Sequence, residues 1–449
     1  MGYAKITLSA DDGAMIGETS FRYAASAMGR TNSRFHTGIS DASTAIRIDA
    51  NWMLVGDDEN QTIRLFNRKL SGLAVKQWDF NTNLGLTDMY PDGTPKEVDL
   101  EASTRVGNRI FWLGSHSHAF NAEERENRGR LFATDLSGTG ANINLRYVGR
   151  YDHLKADLIA WDTNNLHGKG ASYYGFTNST AQGVDPKATD GAGFNIEGLC
   201  MAPGSTTTAY LGLRAPIVPP TDRVNALIVP VLNFTKLAIS NGPPGSAIFG
   251  PPIELNLGGR GIRSLEGATN NYLIVAGPPG FATFVPPSDF HLYTWNGRAT
   301  NAPQLRSADL TGMLPEGIVE LPAGPWTTNT QVQLISDNGI TVYYGDTNQA
   351  KHLEVPNFKK FRSDWVKFGP VTLPSPTIKS IRVSESGADF LITWYSVAGG
   401  KYRLQCAFTL DEARWFDLTE DVLATEALTT HIVPLGLYAQ CYFRVVLLP

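Results

Sequence analysis

The sequence predicts an all-β protein: a five-bladed β-propeller followed by a small C-terminal β-sandwich. Three observations lead to this fold class. A strand–turn–strand pattern recurs five times, long helical periodicity is nearly absent, and the texture of the sequence changes after residue 368. The 44 glycines and 26 prolines of the 449-residue chain suit many tight turns between short strands. We therefore assign residues 1–370 to the propeller and residues 376–449 to the sandwich.

The recurring unit is a strand, a turn, and a second strand that ends in small or polar residues. Its five copies occupy residues 40–58, 98–116, 194–214, 261–278 and 314–338. Each copy is followed by a third alternating stretch, such as TIRLFNR or FHLYTWNG, and most by a fourth. Four short strands repeated about every 50 to 70 residues are typical of propeller blades.

One spacing is longer than the others, and it indicates an insertion. The polar, Gly-rich residues 151–193 separate the second copy from the third, and the best helical stretch of the chain lies around Leu154–Trp161. A parallel β-helix or a pair of sandwiches would also give many short strands. Neither explains why an acidic residue recurs at the same point of successive copies, so the propeller is preferred.

The net charge of the protein and the length of its apolar runs limit which partners it can bind and in which compartment it can reside. The formal net charge is -5 and no block of Lys and Arg occurs, so nucleic acid is not an expected partner. No apolar run reaches the length of a membrane span, and the first thirty residues lack the apolar core of a signal peptide. A mature secreted or periplasmic protein and a cytosolic protein both remain open. We expect a monomer with a small-molecule or carbohydrate ligand.

The repeat also predicts where functional groups converge. In a four-stranded antiparallel blade, the start of the first strand and the end of the second lie on the same face, around the axis. The first strands contribute Asp41, Ser43, Glu101, Glu197, Ser264, Glu266 and Glu316. The second strands contribute Asp57, Asp58, Ser115, His116, Arg214, Gly277, Pro278, Asp337 and Asn338. We therefore expect an acidic pocket on one face.

Carboxylates crowded around a narrow channel repel one another unless a cation or a proton compensates them. Oxygen ligands from separate backbone segments suit Ca²⁺, which accepts six to eight oxygens in variable geometry. The predicted ligands are Ser43, Glu101, Glu197, Ser264, Glu266 and Glu316. The alternative is that the glutamates pair with nearby arginines and only tie the blades together. The arginines available for this are Arg105, Arg214, Arg260 and Arg263.

A calcium-assisted hydrolase of an ester, lactone or phosphoester is the first functional hypothesis. A bound cation polarises such an oxygen and helps to generate a nucleophilic water. His116 or Asp58 would act as the base, and Arg214 would hold an anionic group. The alternative is a non-catalytic propeller that binds a carbohydrate or a protein, with the sandwich as a tether. No G-x-S-x-G motif occurs, which argues against a hydrolase triad of the α/β type.

Several of these motifs resemble known families. DLEA…GSHS, NIEGL…GLRAP, GGRGIRSLEG…IVAGP and PEGI…ISDNG resemble the blade motifs of a bacterial family of unknown function, near the esterase-like-phytase and lactonase-like propellers. This resemblance covers about residues 39–345 and implies a propeller, but no activity. The chain is also similar, more weakly, to five-bladed calcium-activated nucleotidases. That similarity implies a central calcium at Ser43, Glu101, Glu197, Ser264 and Glu316, with Glu266 competing for the position of Ser264.

The C-terminal region begins after the proline-rich linker PVTLPSPT. The spacing of LITW, YRLQ, RWFDL and YFRVV resembles the fibronectin-type-III-like modules of secreted bacterial enzymes. This implies a stability or attachment module, with Trp394 and Trp415 in its core. Cys406 and Cys441 both fall on candidate strands there, so a disulfide and a pair of free thiols both remain open.

Overall fold

The computed structural model describes residues 2–9, 15–23, 33–282, 289–373, 375–409, 414–434 and 441–448. Strands dominate this part of the chain, so the prediction of an all-β protein is confirmed. The N-terminal strands are β1 (Gly2–Ser9) and β2 (Met15–Tyr23), which form a hairpin, and β3 (Arg34–Thr37).

Five antiparallel sheets follow, numbered I to V. Sheet I contains β4 (Ala42–Arg47), β5 (Trp52–Asp57), β6 (Asn60–Asn67) and β8 (Lys76–Asp79). The short β7 (Gly72–Leu73) lies between β6 and β8 in the chain but pairs in parallel with β3. Sheet II contains β9 (Leu100–Val106), β10 (Arg109–Gly114), β11 (Leu131–Ser137) and β12 (Asn144–Tyr151). Each sheet runs from its first strand outward in chain order, which is the order that a repeated meander gives.

The insertion holds the helices α1 (Leu154–Thr163) and α2 (Phe176–Ser179). Sheet III contains β13 (Asn195–Met201), β14 (Ala209–Ala215), β15 (Asn225–Val231), and, after helix α3 (Phe234–Ser240), β16 (Ile253–Asn256). Sheet IV contains β17 (Gly261–Ala268), β18 (Asn271–Gly277), β19 (His291–Trp295) and β20 (Gln304–Arg306). Sheet V contains β21 (Pro315–Ile318), β22 (Gln331–Ser336) and β23 (Lys360–Lys367), and β24 (Val371–Thr372) pairs with β20.

The five first strands lie innermost and contact one another in cyclic order. Strand β4 contacts β9, then β9 contacts β13, β13 contacts β17, β17 contacts β21, and β21 contacts β4. The fourth strand of sheet V is β3, which precedes sheet I in the chain and pairs with β23. Arg68 of sheet I also donates from Nε to the Gln333 side chain of sheet V at 2.7 Å. Sheets I and V, the two ends of the repeat, are therefore joined directly.

The apolar core is divided between neighbouring sheets. Separate clusters lie between sheets I and II, II and III, III and IV, IV and V, and V and I. The second strands explain this division, since stretches such as RIFWLG and NYLIVAG are buried along nearly their whole length. A strand packed on both faces presents a continuous apolar run rather than an alternating one.

The insertion is more ordered than its Gly-rich composition indicates. The helix expected around Leu154–Trp161 is confirmed as α1. The buried Asp162 carboxylate accepts the backbone N–H groups of Tyr174 at 2.9 Å and Phe176 at 3.0 Å. The rings of Trp161 and Tyr174 stack at 5.7 Å, and the insertion joins the core between sheets II and III.

The C-terminal residues form two further sheets around one small core. One sheet contains β25 (Ile378–Val383), β26 (Asp389–Tyr395) and β30 (Leu428–Pro434). The other contains β27 (Lys401–Ala407), β28 (Phe416–Asp417), β29 (Val422–Leu423) and β31 (Tyr442–Leu448). Trp394 is fully buried between them. Trp415 is only half-buried, beneath the Arg444 guanidinium at 4.2 Å, because it lies at the end of a sheet.

Cys406 and Cys441 are free thiols. Burial, and to a smaller extent a hydrogen bond with Cys406, raises the pKa of the Cys441 thiol to about 11. The C-terminal module contacts the five sheets through polar groups. The Tyr395 hydroxyl donates to the Arg223 carbonyl at 3.2 Å, and the Asn256 amide donates to the Ser396 carbonyl at 2.9 Å.

Because the module has its own core, we expect the chain to fold without it. A protein ending at Leu373 should keep the β-sheet circular dichroism of the five sheets and a single cooperative melting transition. Losing the two polar contacts at the boundary should lower stability by about 1–3 kcal/mol. An aggregated or molten truncation would mean that the module completes the core of the five sheets.

Candidate functional site

A β-bulge interrupts each of the five innermost strands near its start. The five residues at these register shifts are Ser43, Glu101, Glu197, Arg263 and Glu316. A bulge leaves one residue without a partner and redirects its side chain. In sheet IV the bulge residue is Arg263. The sequence repeat had aligned Ser264 with the glutamates of the other sheets, and the structure shifts this alignment by one residue.

Two of these glutamates are paired with arginines. The Glu197 carboxylate binds Arg214 Nη1 at 2.8 Å through Oε1 and Arg263 Nε at 2.6 Å through Oε2. Arg263 also binds Glu316 through Nη2. All four side chains are almost completely buried. We call Arg214, Glu197, Arg263 and Glu316 the arginine–glutamate chain; it links sheets III, IV and V across the axis.

The arginine–glutamate chain neutralises two of the predicted calcium ligands, Glu197 and Glu316. Burial opposes ionisation of Glu197, but the positive charges of Arg263 and Arg214 outweigh it and hold the pKa of Glu197 below its usual range. Arg214 also donates to the carbonyls of Pro279 at 2.9 Å and Gly280 at 2.6 Å. Each of its three guanidinium nitrogens thus donates to a protein oxygen already. The predicted role of Arg214 in holding an anionic group does not fit this geometry.

A second group of acids, of which only Asp99 is paired with an arginine among the described residues, lies beside the arginine–glutamate chain at the same face. We call Asp41, Asp58, Asp99, Glu101 and Asp337 the acidic cluster. Carboxylate oxygens of Asp58, Asp99 and Glu101 lie within 4.8 Å of one another. Asp58 forms a similar group with Asp41 and Glu59. Asp58 is common to both groups, which makes it the centre of the cluster.

Local backbone geometry brings these acids together. Asp41 and Asp99 directly precede β4 and β9, whereas Asp58 and Asp337 directly follow β5 and β22. The backbone N–H of Asp58 donates to the carbonyl of Asp41 at 3.2 Å. Asp99 has a left-handed backbone, with φ of 57°, a conformation that Asp adopts more readily than most residues. Starts of first strands thus meet ends of second strands, as the repeat predicts.

Burial and mutual repulsion oppose ionisation of this cluster. Burial raises the pKa of Asp58 well above its usual range, and the charges of Asp41, Asp337 and Glu101 raise it further. Burial also raises the pKa of Glu101, with Glu197 and Asp99 adding to it. The pKa of Asp41 is raised by burial and by Asp337. A positive charge placed among these oxygens would therefore stabilise the ionised cluster.

Positive side chains act on the cluster from a distance, among them Lys351 on Asp41, Asp58 and Asp337. Among the described residues, no Lys or Arg nitrogen lies within ion-pair distance of Asp41, Asp58, Glu101 or Asp337. Arg128 binds Asp99 at 2.9 Å, but it also binds Glu97 at 2.7 Å. Asp58 Oδ1 is buried and has no hydrogen-bond partner. A donor set made only of oxygens, with one buried oxygen unpartnered, fits a hard cation such as Ca²⁺.

His116 makes no hydrogen bond or ion pair with the acidic cluster among the described residues. It follows β10 with a left-handed backbone, φ 59°, and Nδ1 hydrogen-bonds to the Gly114 carbonyl at 2.8 Å. Burial lowers the pKa of His116 to about 4, and the charges that act on it come from Lys155 and Arg130 rather than from the acids. The neighbouring His118 binds Glu124 at 2.8 Å. His116 as the base therefore stays a prediction, with Nδ1 engaged and Nε2 buried and unpartnered.

The remaining predicted ligands lie on the inner strands. The Ser43 hydroxyl donates to the Asp41 carbonyl at 3.2 Å, and the Ser264 hydroxyl accepts the Ile318 N–H at 3.3 Å. Ser264 and Glu266 line a very small cavity of about 10 Å³ between the inner strands, together with Glu101 and Glu197. Burial raises the pKa of Glu266 to about 7. Ser264 and Glu266 line this cavity rather than the acidic cluster.

The mouth of the site carries three residues that the repeat pattern did not indicate. Lys187, from the insertion, favours ionisation of Glu101, Glu197 and Asp337 through its charge. Its ammonium group lies 5.7 Å from the Phe281 ring centroid, and Phe281 contacts Phe120 edge-to-face at 5.7 Å. Phe120 is 68% exposed and Phe281 is 59% exposed. Two large apolar side chains exposed together beside a pocket indicate a ligand-contacting surface.

Calcium should stabilise the protein less as pH falls. The raised pKa values of Asp41, Asp58 and Glu101 mean that these groups take up protons at a higher pH than ordinary carboxyls, and each bound proton opposes a cation. In the cation-free protein the sign is opposite. An acid whose pKa is raised on folding favours the folded state below its unfolded pKa, near 4, and loses that contribution as pH rises through the folded value.

The measurement is the difference in melting temperature with and without Ca²⁺, taken between pH 5 and pH 8. We expect a larger difference at pH 8. Histidines that make no hydrogen bond or ion pair with the cluster, such as His116, affect both melting curves equally and therefore cancel. If the difference in melting temperature stays constant over this range, the cation does not bind at the acidic cluster.

Comparison with protein families finds one match, over part of the chain. Residues 187–335 match a family model described as "Protein of unknown function (DUF3616)". The resemblance to a family of unknown function is thus confirmed for these residues. The matched region contains Glu197, Arg214, Arg263 and Glu316, the whole arginine–glutamate chain, and ends just before Asp337.

A comparison with curated proteins gives no match. Among solved structures, the extracellular domains 1–2 of Drosophila Semaphorin 1b are 8% identical over 89% of this chain and 79% of theirs, with a TM-score of 0.29. The tricorn protease is 10% identical over 93% of this chain and 36% of its own, with a TM-score of 0.22. At these scores neither likeness informs fold or function.

Among the described residues, none of the helices has both the length and the apolar character needed to cross a lipid bilayer.

Proposed function

We propose that residues 33–370 form a five-bladed β-propeller whose axial acidic cluster holds Ca²⁺. The five sheets and the cyclic contacts of β4, β9, β13, β17 and β21 support the propeller. The C-terminal module is then an appended fibronectin-type-III-like sandwich. The observation that carries the cation is the convergence of Asp58, Asp99 and Glu101 around the unpartnered Asp58 Oδ1.

We further propose that this site hydrolyses an ester, a lactone or a phosphoester. Bound Ca²⁺ would polarise the electrophilic oxygen of such a substrate. Asp58, Asp99 and Glu101 are the ligands that we assign to it. Asp58 therefore acts as a ligand here, whereas its sequence position alone allowed the role of base.

We assign the base to Asp337. The Gly339 N–H donates to its Oδ1 at 2.7 Å, which orients the carboxylate. Burial raises the pKa of Asp337, and a base closer to neutrality accepts a proton from water more readily. Phe120 and Phe281 would exclude water and contact the apolar part of the substrate. Lys187 lies where it would attract an anionic one.

The experiment is a chromogenic panel of p-nitrophenyl butyrate, dihydrocoumarin and bis(p-nitrophenyl) phosphate, run with Ca²⁺ and with EGTA. We expect one substrate class to be hydrolysed only with Ca²⁺. Asp337→Asn should lower kcat by about 10²–10⁴-fold, the usual contribution of a general base. His116→Asn, in which the new residue accepts the left-handed backbone, should change kcat less than threefold. A large loss of kcat with His116→Asn would identify His116, rather than Asp337, as the base.

A non-catalytic binding propeller remains the second candidate, and one observation favours it. His116 Nδ1 is bound to the Gly114 carbonyl and His118 Nε2 to Glu124, whereas the exposed Phe120–Phe281 pair suits ligand contact. In this case the panel is inactive with and without Ca²⁺, yet Phe281→Ser still weakens the binding of a ligand captured by the pocket.

A further inference from the structure

A polar groove lies between sheets IV and V, on the face opposite the acidic cluster. The turn at Thr269 and Asn270 joins β17 to β18, and the connection 319–330 joins β21 to β22; both lie where the innermost strands end. The groove measures about 450 Å³, and we call it the amide groove. The side chains that matter to its chemistry are Asn270, Asn271, Asn301, Gln304, Arg306 and Trp326.

Amide groups dominate this lining. In the described part of the chain, the side chains of Asn270, Asn271 and Gln304 make no hydrogen bond to another residue, while Asn301 accepts one from the Thr300 hydroxyl at 3.0 Å. Each amide offers two donors and a carbonyl acceptor. A ligand rich in hydroxyl groups matches this set, because every hydroxyl both donates and accepts.

The charge of the groove excludes other ligands. Its lining contains no carboxylate, so it has no ligand set for a metal ion. Arg306 is its one charged group among the described residues, and Nη2 already donates to the Gly369 carbonyl at 2.7 Å. The guanidinium also lies 5.7 Å from the Phe368 ring centroid. The Nε of Arg306 is buried and has no hydrogen-bond partner, so the guanidinium offers no exposed donor at that atom and the amides carry the polar recognition.

Trp326 supplies a rigid apolar wall. Its ring packs edge-to-face on Phe368 at 5.3 Å, and its Nε1 donates to the Pro322 carbonyl at 3.0 Å. These two contacts hold the ring in place, yet the residue is only half-buried. An aromatic ring fixed beside free amides combines an apolar surface with hydroxyl recognition.

From these observations we propose that the amide groove binds a neutral oligosaccharide. The hydroxyl groups pair with the exposed amides of Asn271 and Gln304, and the apolar face of one sugar ring packs on Trp326. This binding is independent of the acidic cluster and needs no cation.

The test is isothermal titration calorimetry of the full chain, in EGTA, with the hexaoses of β-1,4-linked glucose, xylose, mannose and N-acetylglucosamine. We expect at least one of them to bind. Trp326→Ala should weaken that binding about tenfold, the effect of about 1.4 kcal/mol. The double variant Asn271→Ala, Gln304→Ala should weaken it at least as much, and it changes only exposed side chains. If Trp326→Ala does not fold, the double variant decides.

Gln182→Ala is the matched control, because Gln182 is also exposed but belongs to the insertion. It should bind the sugar with unchanged affinity. The proposal is overturned if none of the four hexaoses binds at millimolar concentration, or if binding survives the double variant. These outcomes leave the calcium proposal unaffected, since EGTA is present throughout.

Discussion

Replacing Glu197 by glutamine should lower the free energy of unfolding by about 3–5 kcal/mol, the usual effect of removing one partner from a buried ion pair. The amide keeps the shape of the side chain but leaves Arg214 and Arg263 buried without their shared counter-charge. Denaturation in urea, followed by circular dichroism, measures this loss.

Glu124→Gln is the control for this experiment. Glu124 is 53% exposed and pairs with Lys155 at 2.5 Å, so its replacement should change the free energy of unfolding by about 1 kcal/mol or less. Equal effects of the two substitutions would show that the arginine–glutamate chain does not hold sheets III, IV and V together.

Replacing Asp58 by asparagine should reduce calcium affinity at least hundredfold. Asp58 belongs to both groups of converging oxygens, and two unit charges about 4 Å apart interact by about 4 kcal/mol at an effective dielectric constant near 20. Without calcium the same variant should melt at a higher temperature than the wild type, because one buried, repelled charge is gone. The two effects have opposite signs, which general damage to the fold does not produce.

The control here is Asp79→Asn, an exposed carboxylate at the outer edge of sheet I. It should leave both calcium affinity and the calcium-free melting temperature unchanged. If Asp58→Asn lowers the calcium-free melting temperature, the Asp58 carboxylate is stabilised by protein partners and the acidic cluster does not attract a cation.

The strand repeat was readable from the sequence because its second strands are buried on both faces. Segments such as RIFWLG and NYLIVAG stand out as apolar runs bounded by turn residues, and the polar residues after each run mark one face. The convergence of Asp41, Asp58 and Glu101 at that face followed from strand direction alone. These features depend on local pattern, which a single sequence carries.

Register and backbone handedness could not be read in the same way. A slip of one residue exchanges the two faces of a strand, so Arg263 and Ser264 cannot be distinguished until the bulge of β17 is known. His116 follows its strand as expected, but its left-handed backbone and its hydrogen bond to the Gly114 carbonyl are not visible in the sequence pattern. The spacing of Asp99 from Glu101 equals that of Asp41 from Ser43, a signal that an alignment based on glutamate alone overlooks.

The contribution of the insertion was also hidden. The sequence indicated an insertion with one helical stretch, and nothing in it indicates that Lys187 acts on Glu101 and Asp337. Such placement depends on contacts distant in sequence. Here the Gly280 backbone lies against Thr189 and the Lys187 carbonyl.

Calcium titration of the chelator-treated full chain by isothermal titration calorimetry tests the central proposal most directly. We expect saturable binding at a defined stoichiometry, weakened at least hundredfold by Asp58→Asn and unchanged by Asp79→Asn. No heat of binding up to millimolar calcium, or equal binding by Asp58→Asn and the wild type, would contradict an axial calcium site in the acidic cluster.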